Sequence, residues 1–218
     1  MISLIDSLKR PFSDLERSGL LFLLSVPPVS FLAFPWVSGY LFATMRHIIR
    51  SKPGLPQWSG FWSLLKDGVL VLLSLLVLAF PGYALFVISS TGIAAVKDPA
   101  LVYLASICGY LLLAICSISL PSLLLRVAKE DDWGSAFRVM DIVRQIFHLD
   151  YILAWAVSLA LSFVTTFLSI SLIGVYGLTW SGLAVSSVLL GLITAFTGLF
   201  SSSLLAQSVA QAASRSRR

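Results

Sequence analysis

A chain of 218 residues that is 58% hydrophobic and only 11% charged falls far below the roughly 25% charged content of soluble domains. That composition, with a mean hydropathy of +0.94, excludes a water-soluble globule. The net charge of +5 does not point to nucleic acid, because the bases collect between apolar stretches as they do at the cytoplasmic face of membrane proteins.

The elements follow one another along a single transmembrane domain, 1–218. Residues 1–17 mix both charge signs, resemble no cleavable signal, and read as an interfacial segment. Residues 18–45 are uncharged but interrupted at Pro27-Pro28, where neither proline can donate a backbone hydrogen bond. A single kinked span and a hairpin compete here. The hairpin leaves 14 of the 15 bases on one side, with only Lys97 opposite, whereas the single span splits them 11 to 4. Its first helix, 18–26, rises only about 14 Å, half of a roughly 30 Å hydrocarbon core, and is short enough to be re-entrant. A basic interfacial loop, 46–66, follows. Residues 67–125 form a second hairpin turning at Val96-Lys97-Asp98-Pro99, with a kink expected at Pro81-Gly82. Residues 126–149 read as an interfacial amphipathic helix. A third hairpin, 150–210, turns within Gly174–Gly182, and 211–218 is a basic tail.

The two inside loops look alike. Arg46, Arg50 and Lys52 precede Trp58 and Phe61; Arg126 and Lys129 precede Trp133 and Phe137. In the second loop Arg138, Asp141, Arg144, Gln145 and His148 share one helical face, and Phe137, Met140, Val143 and Phe147 another. Such a helix lies in the interface, apolar side down. Trp58, Phe61, Trp62 and Leu65 suggest a second one in the first loop. The expected fold is therefore all-α and integral to the membrane. It has six membrane-inserted helices in three parallel-repeat hairpins, and two cytoplasmic interfacial amphipathic helices.

The stretch Gly39-Tyr40-Leu-Phe-Ala-Thr-Met-Arg46-His-Ile-Ile-Arg50, then Leu55-Pro56-Gln57-Trp58, then Phe61 and Lys66-Asp67-Gly68, resembles an uncharacterised prokaryotic membrane family, domain-of-unknown-function family 4013. Trp133-Gly-Ser-Ala-Phe137 resembles that family's second block. Gln57 and Ser59-Gly60 depart from the pattern, standing where acids are common in it. The resemblance implies a six-helix bacterial or archaeal membrane protein and no particular reaction.

Ion coupling or catalysis inside a bilayer usually needs ionisable side chains there, and no span contains one. Asp67 and Asp150 open their helices at the inner interface, where the helix dipole alone favours an acid. His47 and His148 are the only histidines, too sparse for a metal site. No phosphate-binding glycine loop occurs. Cys108 and Cys116, about 12 Å apart along a helix, are too distant for a disulfide. No catalytic residue, metal or cofactor is therefore assigned. Asp141 and Arg144 are placed to pair.

Two groups remain as sites. Arg46, Arg50, Lys52, Arg126 and Lys129 could gather over one inner surface to bind anionic lipid headgroups or an acidic partner segment, the alternative being plain orientation of the chain. Gly191, Thr194, Gly198 and Ser202 form a small-residue helix face, for packing within the bundle or against another subunit. The sequence points first to an accessory or scaffold subunit of a membrane complex. The alternatives are a carrier or channel for a lipid-like or small neutral solute, and a headgroup-modifying membrane enzyme. Its expected partners are the bilayer, anionic headgroups and other membrane subunits, with no nucleic acid. It is placed in a prokaryotic cytoplasmic membrane with both termini cytoplasmic.

Overall fold

Backbone polar groups in an apolar setting must bond within their own segment, and every regular element among the described residues is helical. The computed structural model describes residues 4–12, 14–27, 29–52, 54–91, 99–176 and 180–215. In order these are α1 (Leu4–Lys9), a 3-10 turn (Arg10–Phe12), α2 (Leu15–Ser25), α3 (Val29–Ile49), α4 (Phe61–Thr91) and α5 (Pro99–Glu130). A second 3-10 turn (Trp133–Phe137), α6 (Val139–Ile146), α7 (Leu149–Tyr176) and α8 (Trp180–Arg215) complete the chain. Four of the helices carry stretches long and apolar enough to cross a membrane: Phe61–Ser89, Ala100–Glu130, Leu149–Ser171 and Val185–Gln211. The expected turn at 96–99 lies outside the described residues, apart from Pro99, which begins α5. Of the expected turn at 174–182, residues 177–179 lie outside the described residues, with α7 ending at Tyr176 and α8 beginning at Trp180.

Helix α2 ends at Ser25 and α3 begins at Val29, on the two sides of Pro27-Pro28. The two helices lie side by side and both pack on α8. Val26 at the turn sits so close to Gly191 that a Cβ there would meet its side chain at 2.6 Å. Gly191 is eleven residues into α8, so the turn stops about 16 Å short of that helix's start at Trp180.

Helix α3 is the axis of the bundle. It crosses α4 antiparallel with the two backbones touching: a Cβ on Gly39 would lie 2.0 Å from the Leu64 carbonyl oxygen, and one on Gly68 would lie 1.6 Å from that of Pro35. No residue but glycine fits either position. A second antiparallel crossing, of α4 and α5, is built on Gly82 and Gly109, where a Cβ on either would come within 3.0 Å of the other's carbonyl. Arg46, Asp67 and Asp131 therefore meet at one end of the bundle, where α3 finishes, α4 starts and α5 finishes. The start of α7 and the end of α8 join them there, since Tyr151 and Val209 share a buried cluster with Ile48 and Ala128. Toward the opposite end the apolar side chains of α4, α5 and α7 are largely exposed.

Pro121, inside α5, has no N–H to offer the carbonyl four residues back. That carbonyl, Ser117's, is taken by the Trp155 indole N–H of α7 at 3.0 Å. The Tyr151 hydroxyl donates to the next carbonyl, that of Ile118. Helix α7 thus repairs the break in α5.

Of the amphipathic helix expected over 126–149, residues 126–130 belong to the end of α5, Trp133–Phe137 form a 3-10 turn, and only Val139–Ile146 form a separate helix, α6. Ile142 is buried, Ser122 Oγ donates to its carbonyl at 3.3 Å, and Phe137, Met140 and Phe147 are exposed. The first loop differs from expectation. Phe61–Leu65 are the opening turns of α4 rather than a separate helix, because the helix begins at Gly60 (φ +86°), whose carbonyl accepts from Leu64 N and Ser63 Oγ. The loops do share one feature: Trp58 stacks on Tyr40 at 4.0 Å and Trp133 leans on Phe42 at 5.4 Å, so both tryptophans land on α3.

Two outcomes follow. Replacing Gly68 by Ala should cost about 3 kcal/mol or more of stability, because two backbones must part, whereas Gly19→Ala, with open space at its Cβ, should be neutral or gain up to about 1 kcal/mol. Thermal unfolding in detergent compares them. Trp155→Phe should cost about 1–3 kcal/mol for the abandoned carbonyl. In a Pro121→Ala background, where the alanine supplies the missing N–H, that cost should shrink, as a double-mutant cycle would show.

Candidate functional site

The charged end of the bundle holds most of the polar chemistry. Helix α3 stops in a Schellman arrangement, with Lys52 N donating to His47 O at 3.1 Å, Ser51 N to Ile48 O at 2.8 Å, and Ser51 at φ +55°. Helix α5 stops at Asp131, also left-handed at φ +60°, whose N–H bonds the Val127 carbonyl at 2.8 Å. These two stops aim Arg46, Arg50 and Asp131 at one another.

Arg46 leans back along its helix, as Cβ geometry favours, and lies over the Phe42 ring at 4.8 Å. Its Nη1 donates to Asp67 Oδ2 at 3.2 Å, and its Nε lies 3.0 Å from Asp131 Oδ1. The second contact joins the charges without the alignment of a hydrogen bond. Arg50 Nη2 reaches Asp131 Oδ2 at 2.9 Å. Beside this set, Arg126 Nη2 contacts Glu130 at 2.7 Å and Asp141 at 2.8 Å, and Arg138 contacts Glu130 at 3.4 Å. The bond from Arg50, with the charges of Arg46 and Arg50, holds the Asp131 carboxyl below the usual carboxylate range against a smaller opposing effect of burial.

Of the five bases singled out in the sequence, Arg46, Arg50 and Arg126 are committed to acids within the chain. Lys52 and Lys129 are exposed and have no ion pair among the described residues. Asp141, expected beside Arg144, pairs across to Arg126 instead. Asp67 serves as Arg46's partner. His47 is half-buried on the last turn of α3, and His148 is exposed between α6 and α7. Among the described residues no group of three His, Cys, Asp or Glu side chains could hold a metal. Both cysteines are free, Cys108 exposed and Cys116 buried.

The small-residue face of α8 packs inside the chain at three of its four positions. Gly191 is buried against Val26, Gly198 lies against Leu41 with a Cβ 3.0 Å away, and Ser202 is buried, while Thr194 is exposed.

A second polar assembly accounts for the block Gly39-Tyr40 to Leu55-Pro56-Gln57-Trp58. Tyr40, fully buried, donates to the Pro56 carbonyl at 3.1 Å and stacks parallel on Trp58. Trp58 Nε1 donates to the Arg17 carbonyl at 3.0 Å. The Arg17 guanidinium donates to the Leu55 carbonyl and pairs with Asp14 at 2.8 Å. The loop is thereby clamped to both helices of the first hairpin. Sequence reasoning singled out the block but not its reason, because the partners lie up to 41 residues apart.

Two apolar cavities flank α2. One of about 420 Å³ lies between Phe12, Phe22 and the α8 residues Leu192, Phe196 and Leu199. The other, of about 370 Å³, is lined by Leu24, Leu32, Trp36 and Phe61, and the Trp36 indole N–H beside it has no acceptor among the described residues.

The profile of a family described as "Protein of unknown function (DUF4013)" matches residues 20–174. No curated protein and no solved structure matches the chain.

Acidification tests the network. Asp131's contribution is full above the ordinary aspartate pKa of about 3.9 and is lost as pH falls through its lower folded value. Asp131→Asn should remove the part of the stability profile that changes below about pH 4 and leave a small loss at neutral pH, about 0.2–1 kcal/mol per exposed pair. Unfolding followed against pH for both proteins checks this.

Proposed function

Because the chain belongs to the DUF4013 family, to which no activity is attached, we propose from its own geometry that it is an accessory or scaffold subunit of a larger membrane complex. The observation that carries this reading is the unused apolar surface of the spans. Only 6% of the residues in the most apolar part of Phe61–Ser89 are buried within the chain, and 11% in those of Ala100–Glu130 and Leu149–Ser171, against 44% for Val185–Gln211. Surface of that kind suits neighbours in the membrane plane, and the charged end, with arginines neutralised by the chain's own acids, supplies a rigid base. In this reading six helices enter the bilayer as three parallel hairpins, the first stopping short of full crossing. The charged end and both termini face the cytoplasm of a prokaryotic cell, as the positive-inside distribution favours. Lys52 and Lys129, the two of the five bases without acid partners among the described residues, are then the ones available to anionic headgroups.

A second reading, a carrier of lipid-like solutes, draws support from the two apolar cavities beside α2. Extraction of the tagged protein in mild detergent, followed by native mass measurement, separates the two. A stoichiometric assembly with another polypeptide is expected. A protein that runs alone and carries co-purified lipid would favour the carrier. Lys52→Gln with Lys129→Gln should lower the retention of anionic lipid in the same spectra, whereas equal retention would return those lysines to orientation alone.

A further inference from the structure

One seam of α5 is left largely open among the described residues. Tyr103, Ile107, Tyr110, Ala114 and Ser117 recur at alternating four- and three-residue steps, the spacing at which one helix packs along another. Helix α7 covers this seam at one end only, where Trp155 and Tyr151 bond the carbonyls beside Pro121. Beyond that point the seam is open, with Tyr103 70% exposed, Ile107 56% and Tyr110 59%.

The exposed groups are not all lipid-like. Tyr110 is twelve residues from Asp98 and sixteen from Arg126, about 18 Å and 24 Å along a helix. Its phenol therefore lies near mid-bilayer depth, farther from either headgroup region than the side chain can reach. Its ring is held edge-on by Phe86 of α4 at 5.4 Å. Its hydroxyl has no hydrogen-bond partner among the described residues, whereas Tyr103, only five residues or about 8 Å from Asp98, is within reach of the interface. Acyl chains offer no acceptor, and a hydroxyl left unpaired in hydrocarbon is costly. A serine or threonine escapes that cost by bonding back to its own helix, as Ser106, Ser162 and Thr166 do here. A tyrosine hydroxyl stands too far from its own backbone to do the same.

We infer that this seam is the docking site for one transmembrane helix of a partner subunit, and that the partner presents a hydrogen-bond acceptor to Tyr110. Ala114 leaves room for the partner's backbone to come close. A second copy of this chain is a poor occupant. Parallel copies meeting along the seam would bring their two α7 helices, each already seated at its lower end, into the same space. The inference rests on the subunit reading above and adds the surface and the chemistry of the contact.

The test uses Tyr110→Phe, which removes the hydroxyl and keeps the ring. In separate molecules a photoreactive benzophenone side chain replaces Ile107. Native mass measurement of the wild-type extract should show the assembly. The Tyr110→Phe variant, with unchanged thermal unfolding, should lose it at least tenfold at equal concentration. Illumination in the membrane should join residue 107 to the partner found in that assembly, at a span segment bearing a polar side chain. An assembly that survives in the Tyr110→Phe variant would overturn the seam while leaving the subunit reading standing. Cross-linking only to lipid, or to a second copy of this chain, would do the same. A wild-type protein that runs alone would remove both.

Discussion

The contact on which the architecture depends is the backbone-to-backbone crossing of α3 and α4 at Gly39 and Gly68. With no side chain between them the two helices approach as closely as helices can, and van der Waals contact replaces the hydrophobic drive that is missing inside a bilayer. The crossing fixes what lies on either side of it. One residue beyond Gly39, Tyr40 is buried and turned toward the loop, where it meets Pro56 and Trp58. Seven residues beyond, Arg46 comes within reach of Asp67. The clamp on the loop and the ion-pair network are consequences of where α3 lies.

The charged end follows a different logic from the spans. Placing arginines near hydrocarbon is expensive, and this chain offsets the cost with its own acids. Asp67 from α4, Glu130 and Asp131 from the end of α5, and Asp141 from α6 each meet a guanidinium. The result is a nearly neutral lattice across α3, α4, α5 and α6. Deeper in the bundle hydrogen bonds are rationed by the same principle. The carbonyl that Pro121 leaves open is filled by Trp155, and most span hydroxyls bond back to their own helix. Against that background an exposed tyrosine hydroxyl at mid-depth stands out.

Much of the fold was legible in the sequence because its signals are local. Uncharged runs of sufficient length mark the spans, Pro27-Pro28 marks the break between α2 and α3, and the alternation of Phe, Met and Val with Arg and Gln marks α6. The short helix expected around Trp58 and Phe61 was misplaced, because an aromatic cluster at helical spacing does not show where the helix begins; Gly60 does. Arg46, Arg50 and Arg126 looked like free bases because ion pairs between distant segments leave no periodic trace. One long-range contact could have been found: a proline inside an apolar helix announces an open carbonyl four residues earlier, and Trp155 and Tyr151 are donors near the start of the following span. Gly82 was read with Pro81 as a kink and Gly109 was not singled out, since neither a glycine beside a proline nor one alone in a helix shows where another backbone will cross.

In the proposed topology all the charged loops gather on one face of a membrane, and residues 97 and 98 reach the other. Single cysteines at Ser51, Asp132 and Asp98, in a chain with Cys108 and Cys116 replaced by Ser, can be labelled in sealed vesicles with a membrane-impermeant maleimide. The account predicts that Ser51→Cys and Asp132→Cys react from the same side and Asp98→Cys only from the opposite side. Reaction of Ser51→Cys and Asp132→Cys from different sides, or of all three from one, would contradict it.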